Sequence, residues 1–463
     1  MSRSAPTFAS LSLPADLLAN LDSLGFEAMT AIQAQSLPAV LAGRDLIAQA
    51  KTGSGKTAAF GLGMLLQLNL TLFKVQGMVL CPTRELADQV AKELRRLGRH
   101  VPNLKILTLC GGTPLAPQAA SLEHGAHLVV GTPGRIQDHL HKGTLDLARL
   151  RILVLDEADR MLDMGFAGEV EDVISFCPER RQTLLFSATY PEEIRQLSAA
   201  IQRDAERVTV EALHDSKHIE QRIYAVKDNG EKPALLKAIL AHYQPVSTVV
   251  FCNTKIDCQK LAESLRADGY AALALHGDLE QRDRDLMLVL FANGSCPILV
   301  ATDMAARGLD IKDLAAVVNY ELPYDPEVYV HRIGRTGRAG KHGLAFSMVS
   351  PSQGKRQKGI EAYLDHALPM ADAGQLEGDA DFRMPARMAT LCIDAGRKQK
   401  LRPGDVLGAL TGDAGLPGEA IGKIALFEFQ TYVAVLAESA DQAVTRLQAG
   451  KIKGKPVKVR LVE

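Results

Sequence analysis

Residues 50–57 read Ala-Lys-Thr-Gly-Ser-Gly-Lys-Thr, between a short apolar run at 45–48 and a helix-forming run at 58–68. A glycine-rich turn in that position points several backbone N–H groups and a helix N-terminus at one spot, where a chain of phosphates can be held. Lys56 would meet the β- and γ-phosphates as a point charge, and the Thr57 hydroxyl would ligate Mg2+. Ala50 occupies the place where the common pattern has its first glycine; Thr52, Gly53, Ser54 and Gly55 supply the rest of the cradle. A second cluster, Asp156-Glu157-Ala158-Asp159, follows the apolar run Ile-Leu-Val-Leu at 152–155. By itself an acidic quartet is a solvated turn. Beside a phosphate cradle, at the strand end where open α/β sheets bind ligands, it reads as Asp156 on Mg2+ and Glu157 as the base that deprotonates a water. The third cluster is His331-Arg332-Ile333-Gly334-Arg335-Thr336-Gly337-Arg338, with its three arginines spaced by three. Alone it is a solvated face or a salt-bridge hub. With a phosphate cradle in the same chain, Arg335 and Arg338 read as arginine fingers for charge developing on a transferring phosphoryl group.

These groups must be held at strand ends, and the pattern supplies the strands. Over residues 1–210, short apolar runs (LIAQ, GMVLCP, KILTLC, AHLVVG, RILVLDE, QTLLFSAT, RVTV) alternate with helix-like stretches, the signature of a parallel α/β sheet. Residues 211–218 are polar and unpatterned and read as a connector. The alternation then resumes, so 211–368 forms a second α/β domain. Residues 369–384, rich in Ala, Gly and Asp, read as a linker, and 385–463 shows a βαββαβ order, a small α+β domain.

Composition excludes several classes. With 463 residues, 47% hydrophobic and 23% charged, the chain can bury several cores. No apolar run approaches the roughly 18 residues that span a bilayer, and the N-terminus lacks an apolar signal core, so no membrane association and a cytoplasmic location are expected. Seven scattered cysteines without a CxxC pair read as buried free thiols. The formal charge is −1, yet residues 385–463 carry 12 Lys+Arg against 8 Asp+Glu, leaving −5 for the rest. A polyanion is therefore expected at the C-terminal end.

With these motifs in order, residues 8–350 resemble the DEAD-box RNA helicases, ATPases of two RecA-like lobes. The resemblance implies tandem parallel α/β domains followed by a small RNA-recognition-like α+β domain, with ATP and Mg2+ as cofactors. Gly25-Phe26 and Thr30-Ala31-Ile32-Gln33 are similar to the family's Q motif, which implies that Gln33 pairs with the adenine edge and Phe8 stacks on the base. Pro82-Thr83-Arg84, Gly111-Gly112 and Thr132-Pro133-Gly134-Arg135 match its RNA-backbone motifs, as do Thr254, Gly277, Arg284 and Thr302 in the second domain. Threonine hydroxyls, loop N–H groups and an arginine at helix starts are phosphate ligands, though by themselves they are also N-caps and turns. Ser187 and Thr189, with Asp159, match the motif that couples hydrolysis to strand separation, and Asp310 falls where the family meets the ATP ribose.

The last segment resembles the RNA-binding domain of the bacterial DbpA subfamily, implying large-subunit ribosomal RNA, a pre-ribosomal particle and a monomer. An ordinary RNA-recognition motif stacks bases on aromatics of its central strands. Here Cys392 stands at one such place and Tyr432 alone fits another, so Arg397, Lys398, Lys453, Lys455 and Arg460 are the RNA-contact candidates. The expectation is an ATP-dependent helicase that locally unwinds structured RNA. Two rivals share its parts: a P-loop motor with DNA or protein cargo, and an ATP-dependent RNA clamp that separates no strands.

Overall fold

The computed structural model describes residues 6–50, 53–210, 219–306, 314–337, 342–379, 381–412 and 414–462. Thr52, Asp310, Arg338 and the connector 211–218 lie outside them. Two seven-stranded parallel sheets and one four-stranded antiparallel sheet account for the strands.

The first lobe contains β1 (Leu46–Gln49), β2 (Gly77–Leu80), β3 (Ile106–Leu109), β4 (Leu128–Gly131), β5 (Ile152–Asp156), β6 (Gln182–Ser187) and β7 (Glu206–Thr209), in the spatial order β3-β4-β2-β5-β6-β1-β7. The central strands are buried along their whole length because helices cover both faces, which is why they read as unbroken apolar runs. On one face Phe60, Phe186, Leu46 and Val154 pack under the helices Lys56–Leu66 and Arg84–Leu97; on the other, Leu153, Leu155 and Leu185 meet Ile136, Met161 and Val170.

The second lobe repeats the plan with β8 (Ile219–Ala225), β9 (Thr248–Cys252), β10 (Ala272–Leu275), β11 (Ile298–Thr302), β12 (Ala316–Asn319), β13 (Gly343–Val349) and β14 (Met370–Ala371), ordered β10-β11-β9-β12-β13-β8-β14. Residues 369–384 are not a loose linker: β14 extends the sheet beside β8, and Leu376, Phe382 and Met384 pack on the second-lobe core. Arg383 lies over the Tyr270 ring at 4.9 Å and His242 receives the Glu377 N–H at 3.0 Å. A two-residue edge strand and isolated apolar side chains leave no periodic signal, which is why the segment looked structureless.

The terminal domain comprises β15 (Met388–Ile393), β16 (Ile421–Leu426), β17 (Thr431–Leu436) and β18 (Val459–Leu461), ordered β16-β17-β15-β18, with helices Pro403–Thr411 and Ala440–Ala449 on one face around Leu391, Val406, Leu410, Val433 and Leu447. The opposite face meets the second lobe. Thr390 Oγ1 accepts from Asn293 Nδ2 and bonds Ser295 Oγ, each at 2.7 Å, and Lys423 Nζ donates to Ala292 O at 2.8 Å. Thr390, Cys392, Tyr432 and Ala434, which alternate outward on the two central strands, are consequently buried. All seven cysteines are free and buried, as expected. Among the described residues no helix is long and apolar enough to cross a membrane.

Candidate active site and RNA-facing motifs

Sheet order sorts the motifs. In the first lobe the phosphate loop follows β1, Asp156 ends β5 and Ser187 ends β6, and these three strands are neighbours. The RNA-backbone candidates Thr83, Gly112 and Thr132 follow β2, β3 and β4, the other half of the same edge. The second lobe divides likewise: Gly277, Thr302 and Thr254 stand at the ends of β10, β11 and β9, while Arg332 and Arg335 lie between β12 and β13.

The nucleotide half is built on a backbone only glycine adopts freely. Gly55 caps the helix Lys56–Leu66 at φ 95°, and a Cβ there would stand 2.5 Å from Gln33 Nε2. Gln33 belongs to two structures at once. Its Oε1 accepts from Thr30 N at 2.9 Å, closing a capping box on the helix Ala31–Leu41, and its Nε2 donates to Gly55 O at 3.1 Å. Phe8 is buried edge-on against Phe26, with ring centroids 5.9 Å apart. Lys56 Nζ donates to Ala50 O at 3.0 Å inside the loop.

Asp156 Oδ1 and Ser54 Oγ are buried with no hydrogen-bond partner among the described residues. Burial is the largest influence on the Asp156 carboxyl and pushes it up to about 6, with Lys56 opposing and Glu157 adding to the rise. An orphaned carboxylate oxygen beside a lysine, together with the helix-start hydroxyl of Thr57 on the same sheet edge, is a donor set suited to a hard cation such as Mg2+. Glu157 sits at φ 53° and ψ 51°, an uncommon region for a residue with a side chain, and Arg160 Nη1 pairs with its Oε2 at 2.8 Å in a buried contact. Asp159 Oδ2 accepts from Ala188 N, Thr189 N and Thr189 Oγ1 at 3.0–3.1 Å, and Ser187 Oγ accepts from Asp159 N at 3.2 Å. The acidic helix and the Ser-Ala-Thr strand end are therefore one hydrogen-bonded unit.

In the second lobe Arg332 is the hub that the motif's alternative reading allowed. Nε and Nη2 clamp Asp303 at 2.7 Å each, Nη1 reaches Asn319 Oδ1 and Glu321 O, and Nη2 also reaches Asn253 Oδ1 at 2.9 Å. All five donors are used, across β9, β11 and β12. Arg335 is 9% exposed, one turn further on. Sequence reasoning missed Arg160 and gave no role to Asn253 and Asp303, which lie within matched motifs; the charge of Arg332 was visible, its burial was not.

Several RNA candidates carry local duties. Thr83 and Thr254 cap helices by accepting from Leu86 N and Asp257 N. Arg135 Nη1 donates to Thr113 O at 3.0 Å and Gln118 Oε1 at 2.9 Å, fastening the Gly-Gly loop to its own helix. Pro82 and Thr302 are buried, Arg84 and Arg284 half-buried, and Gly112 and Gly277 exposed. In the terminal domain, Arg397, Lys455 and Arg460 are exposed, whereas Lys398 pairs with Glu428 at 3.1 Å and Lys453 Nζ lies 2.7 Å from Lys400 O and 3.4 Å from Asp405. The Tyr432 ring is buried against Phe427 and does not present a free face.

Two parallel lobes in tandem, one with a phosphate cradle and acidic strand end, the other with an arginine-bearing helix, define a two-lobed nucleoside-triphosphatase. Family models match along the chain: DEAD/DEAH box helicase over residues 30–197, helicase conserved C-terminal domain over 231–340 and DbpA RNA binding domain over 390–461. The chain belongs to the DEAD-box family of ATP-dependent RNA helicases. It is 56% identical over 451 residues to the ATP-dependent RNA helicase DbpA of Escherichia coli (strain K12), covering 97% of this chain and 98% of that one. To the DEAD-box ATP-dependent RNA helicase CshA of Bacillus cereus it is 44% identical over 371 residues, 80% of this chain and 70% of that one. Among solved structures, S. cerevisiae Dbp5 bound to RNA and ADP BeF3 matches with a TM-score of 0.72 and 32% identity, over 80% of this chain and 96% of that chain.

Proposed function

We propose that this helicase remodels large-subunit ribosomal RNA during ribosome assembly, as a cytoplasmic monomer that visits a pre-ribosomal particle and separates short duplexes locally. The observation that carries this reading is the terminal domain, a match to the DbpA RNA binding domain that is fastened to the second lobe. The core motifs face backbone groups, which carry no sequence information, so the address must be read elsewhere.

Each residue's task follows from its chemistry. Lys56 exchanges the Ala50 carbonyl for the β- and γ-phosphates. Gln33 offers its amide to the adenine edge, with Phe8 beside the base, while remaining tied to the loop through Gly55. Mg2+, which Asp156 and Thr57 would hold, neutralises phosphate charge when bound. Glu157, fixed in its strained backbone and steered by Arg160, takes the proton of the attacking water. Arg335 and Arg338 come from the other lobe, so turnover requires closure, and ATP and RNA, both favouring the closed state, strengthen each other's binding. Asp159 passes the state of the acidic helix to Ser187 and Thr189 through the hydrogen bonds described above. The reading is tested by ATPase rate against RNAs with and without ribosomal hairpins. Half-saturation at markedly lower concentration of the ribosomal species is expected; equal stimulation by all would remove the ribosomal assignment.

A further inference from the structure

The terminal domain holds three aromatic rings, all within residues 427–432: Phe427, Phe429 and Tyr432. Tyr432 is buried and Phe427 is half-buried with its ring edge-on to Tyr432 at 5.5 Å. Phe429, at the turn between β16 and β17, is 60% exposed. A lone exposed phenylalanine is ordinary on a protein surface. This one differs in how its loop is built.

The turn is laced to the loop that follows β15. Arg397 N donates to Phe427 O and Lys398 N to Glu428 O, each at 2.9 Å, and Phe427 N donates to Gln430 O at 2.8 Å. The approach is so close that a Cβ on Gly396 would stand 2.4 Å from Phe427 O and 2.7 Å from Glu428 O. Gln430 Nε2 donates to Asp394 Oδ1 at 3.2 Å, and Gln430 Oε1 accepts from Tyr432 Oη at 3.0 Å. The turn is thus fixed before any ligand arrives, so little ordering entropy is left to lose on binding.

Register brings cations to the same end. Ile393 pairs with both Thr431 and Val459, and Leu426 with Thr431, so Arg397, Lys398, Lys458 and Arg460 lie at the same end of the sheet as the turn that carries Phe429. Glu428, the acidic neighbour, is paired with Lys398 at 3.1 Å, and Asp394 is engaged by Gln430. The face on which an ordinary RNA-recognition motif stacks bases is, over its central strands, buried against the second lobe through Thr390 and Lys423.

We propose that the terminal domain reads RNA end-on, with Phe429 as a stacking platform for one unpaired base and Arg397, Lys458 and Arg460 on the flanking phosphates. The ligand class is a single-stranded loop or bulge within structured RNA, since bases inside a duplex offer no free face to an exposed ring. A protein partner for the same ring is the competing occupant. The proposal rests on the ribosomal RNA reading above only for the choice of probe.

The chain contains no tryptophan, so F429W introduces a single fluorophore at the proposed contact. The full-length F429W protein is titrated with transcripts tiling large-subunit ribosomal RNA, and F429A and wild type are compared for affinity on the tightest of them at fixed salt. Stacking predicts quenching of F429W on binding, loss of that quenching when the loop is base-paired to a complementary strand, and roughly ten- to hundredfold weaker binding by F429A with near wild-type affinity in F429W. Unquenched F429W together with unchanged F429A affinity overturns the stack and leaves the ring to a protein partner. If every transcript binds alike, the ribosomal preference fails, while the quenching still decides whether a base meets the ring.

Discussion

In the first lobe Asp156 keeps an oxygen buried without a partner among the described residues and Glu157 sits in a strained backbone, whereas in the second lobe the equally buried Arg332 uses every donor it has. The difference shows where each lobe stores its work. A buried carboxylate oxygen without a partner calls for an explanation, and the proposed cation and phosphate site in the first lobe supplies one. A saturated guanidinium instead ties three strand ends together, so the second lobe holds the buried Arg335 in a rigid frame.

The largest effects should fall on the residues proposed to meet the reacting phosphate. Glu157→Gln removes the base while leaving Asp156 and Lys56, so ATP and RNA should still bind as turnover falls by about 10²–10⁴. Arg335→Ala, from the opposite lobe, should cost on the order of 10³ in rate. Single-turnover hydrolysis measures both. Wild-type rates in either variant would dissolve the division of labour between the lobes.

Stability sharpens the contrast, because the two lobes should respond with opposite signs. Arg332→Met strands Asp303 and Asn319, which should lower the second lobe's stability by about 3–5 kcal/mol, and Arg332→Lys should recover little because a single ammonium cannot fork. Asp156→Asn should stabilise the unliganded first lobe while abolishing Mg·ATP binding. With the carboxyl pushed up to about 6, ionising it in the folded chain costs on the order of 3 kcal/mol. Since the folded value is raised, the stability that the protonated carboxyl contributes is full in acid and lost as pH climbs from about 4 through about 6. The wild-type deficit relative to Asp156→Asn should therefore grow over that window and then level off. Mg·ATP affinity should rise across the same range. Calorimetry at several pH values and nucleotide titrations read both, and a pH-independent difference would contradict the assignment.

Nucleotide choice should move less. Gln33→Ala should lose ATP over GTP preference, since the amide that suits adenine meets reversed donors and acceptors on guanine; competition binding measures the ratio. Smallest is the salt response of RNA binding. Lys455→Gln should reduce the log-log slope by about one, Lys453→Gln by less, because Lys453 already bonds Lys400 O and Asp405.

Much of this was legible in the sequence because it is local. The phosphate loop, the acidic strand end and the alternation of strands are written in consecutive residues, and their spacing alone placed them at sheet edges. What was not legible depends on residues far apart in the chain. Arg332 became a hub only once β9, β11 and β12 were neighbours, and the pairing of Arg160 with Glu157 depends on the burial of both side chains. Residues 369–384 looked like a tether because a two-residue strand has no period. A chain cut at Leu368 would lose β14, Phe382 and Met384 from the second-lobe core, so a truncation that spares the core must end beyond Met384.

If, as proposed, closure of the two lobes spends ATP to separate RNA strands, the most direct measurement is release of a labelled strand from a short duplex joined to large-subunit ribosomal RNA. Wild type with ATP should release the strand repeatedly, and Glu157→Gln should hold the RNA in an ATP-dependent complex without turning over. A duplex left intact by the wild-type protein, despite ATP-dependent binding and hydrolysis, would make this chain a clamp.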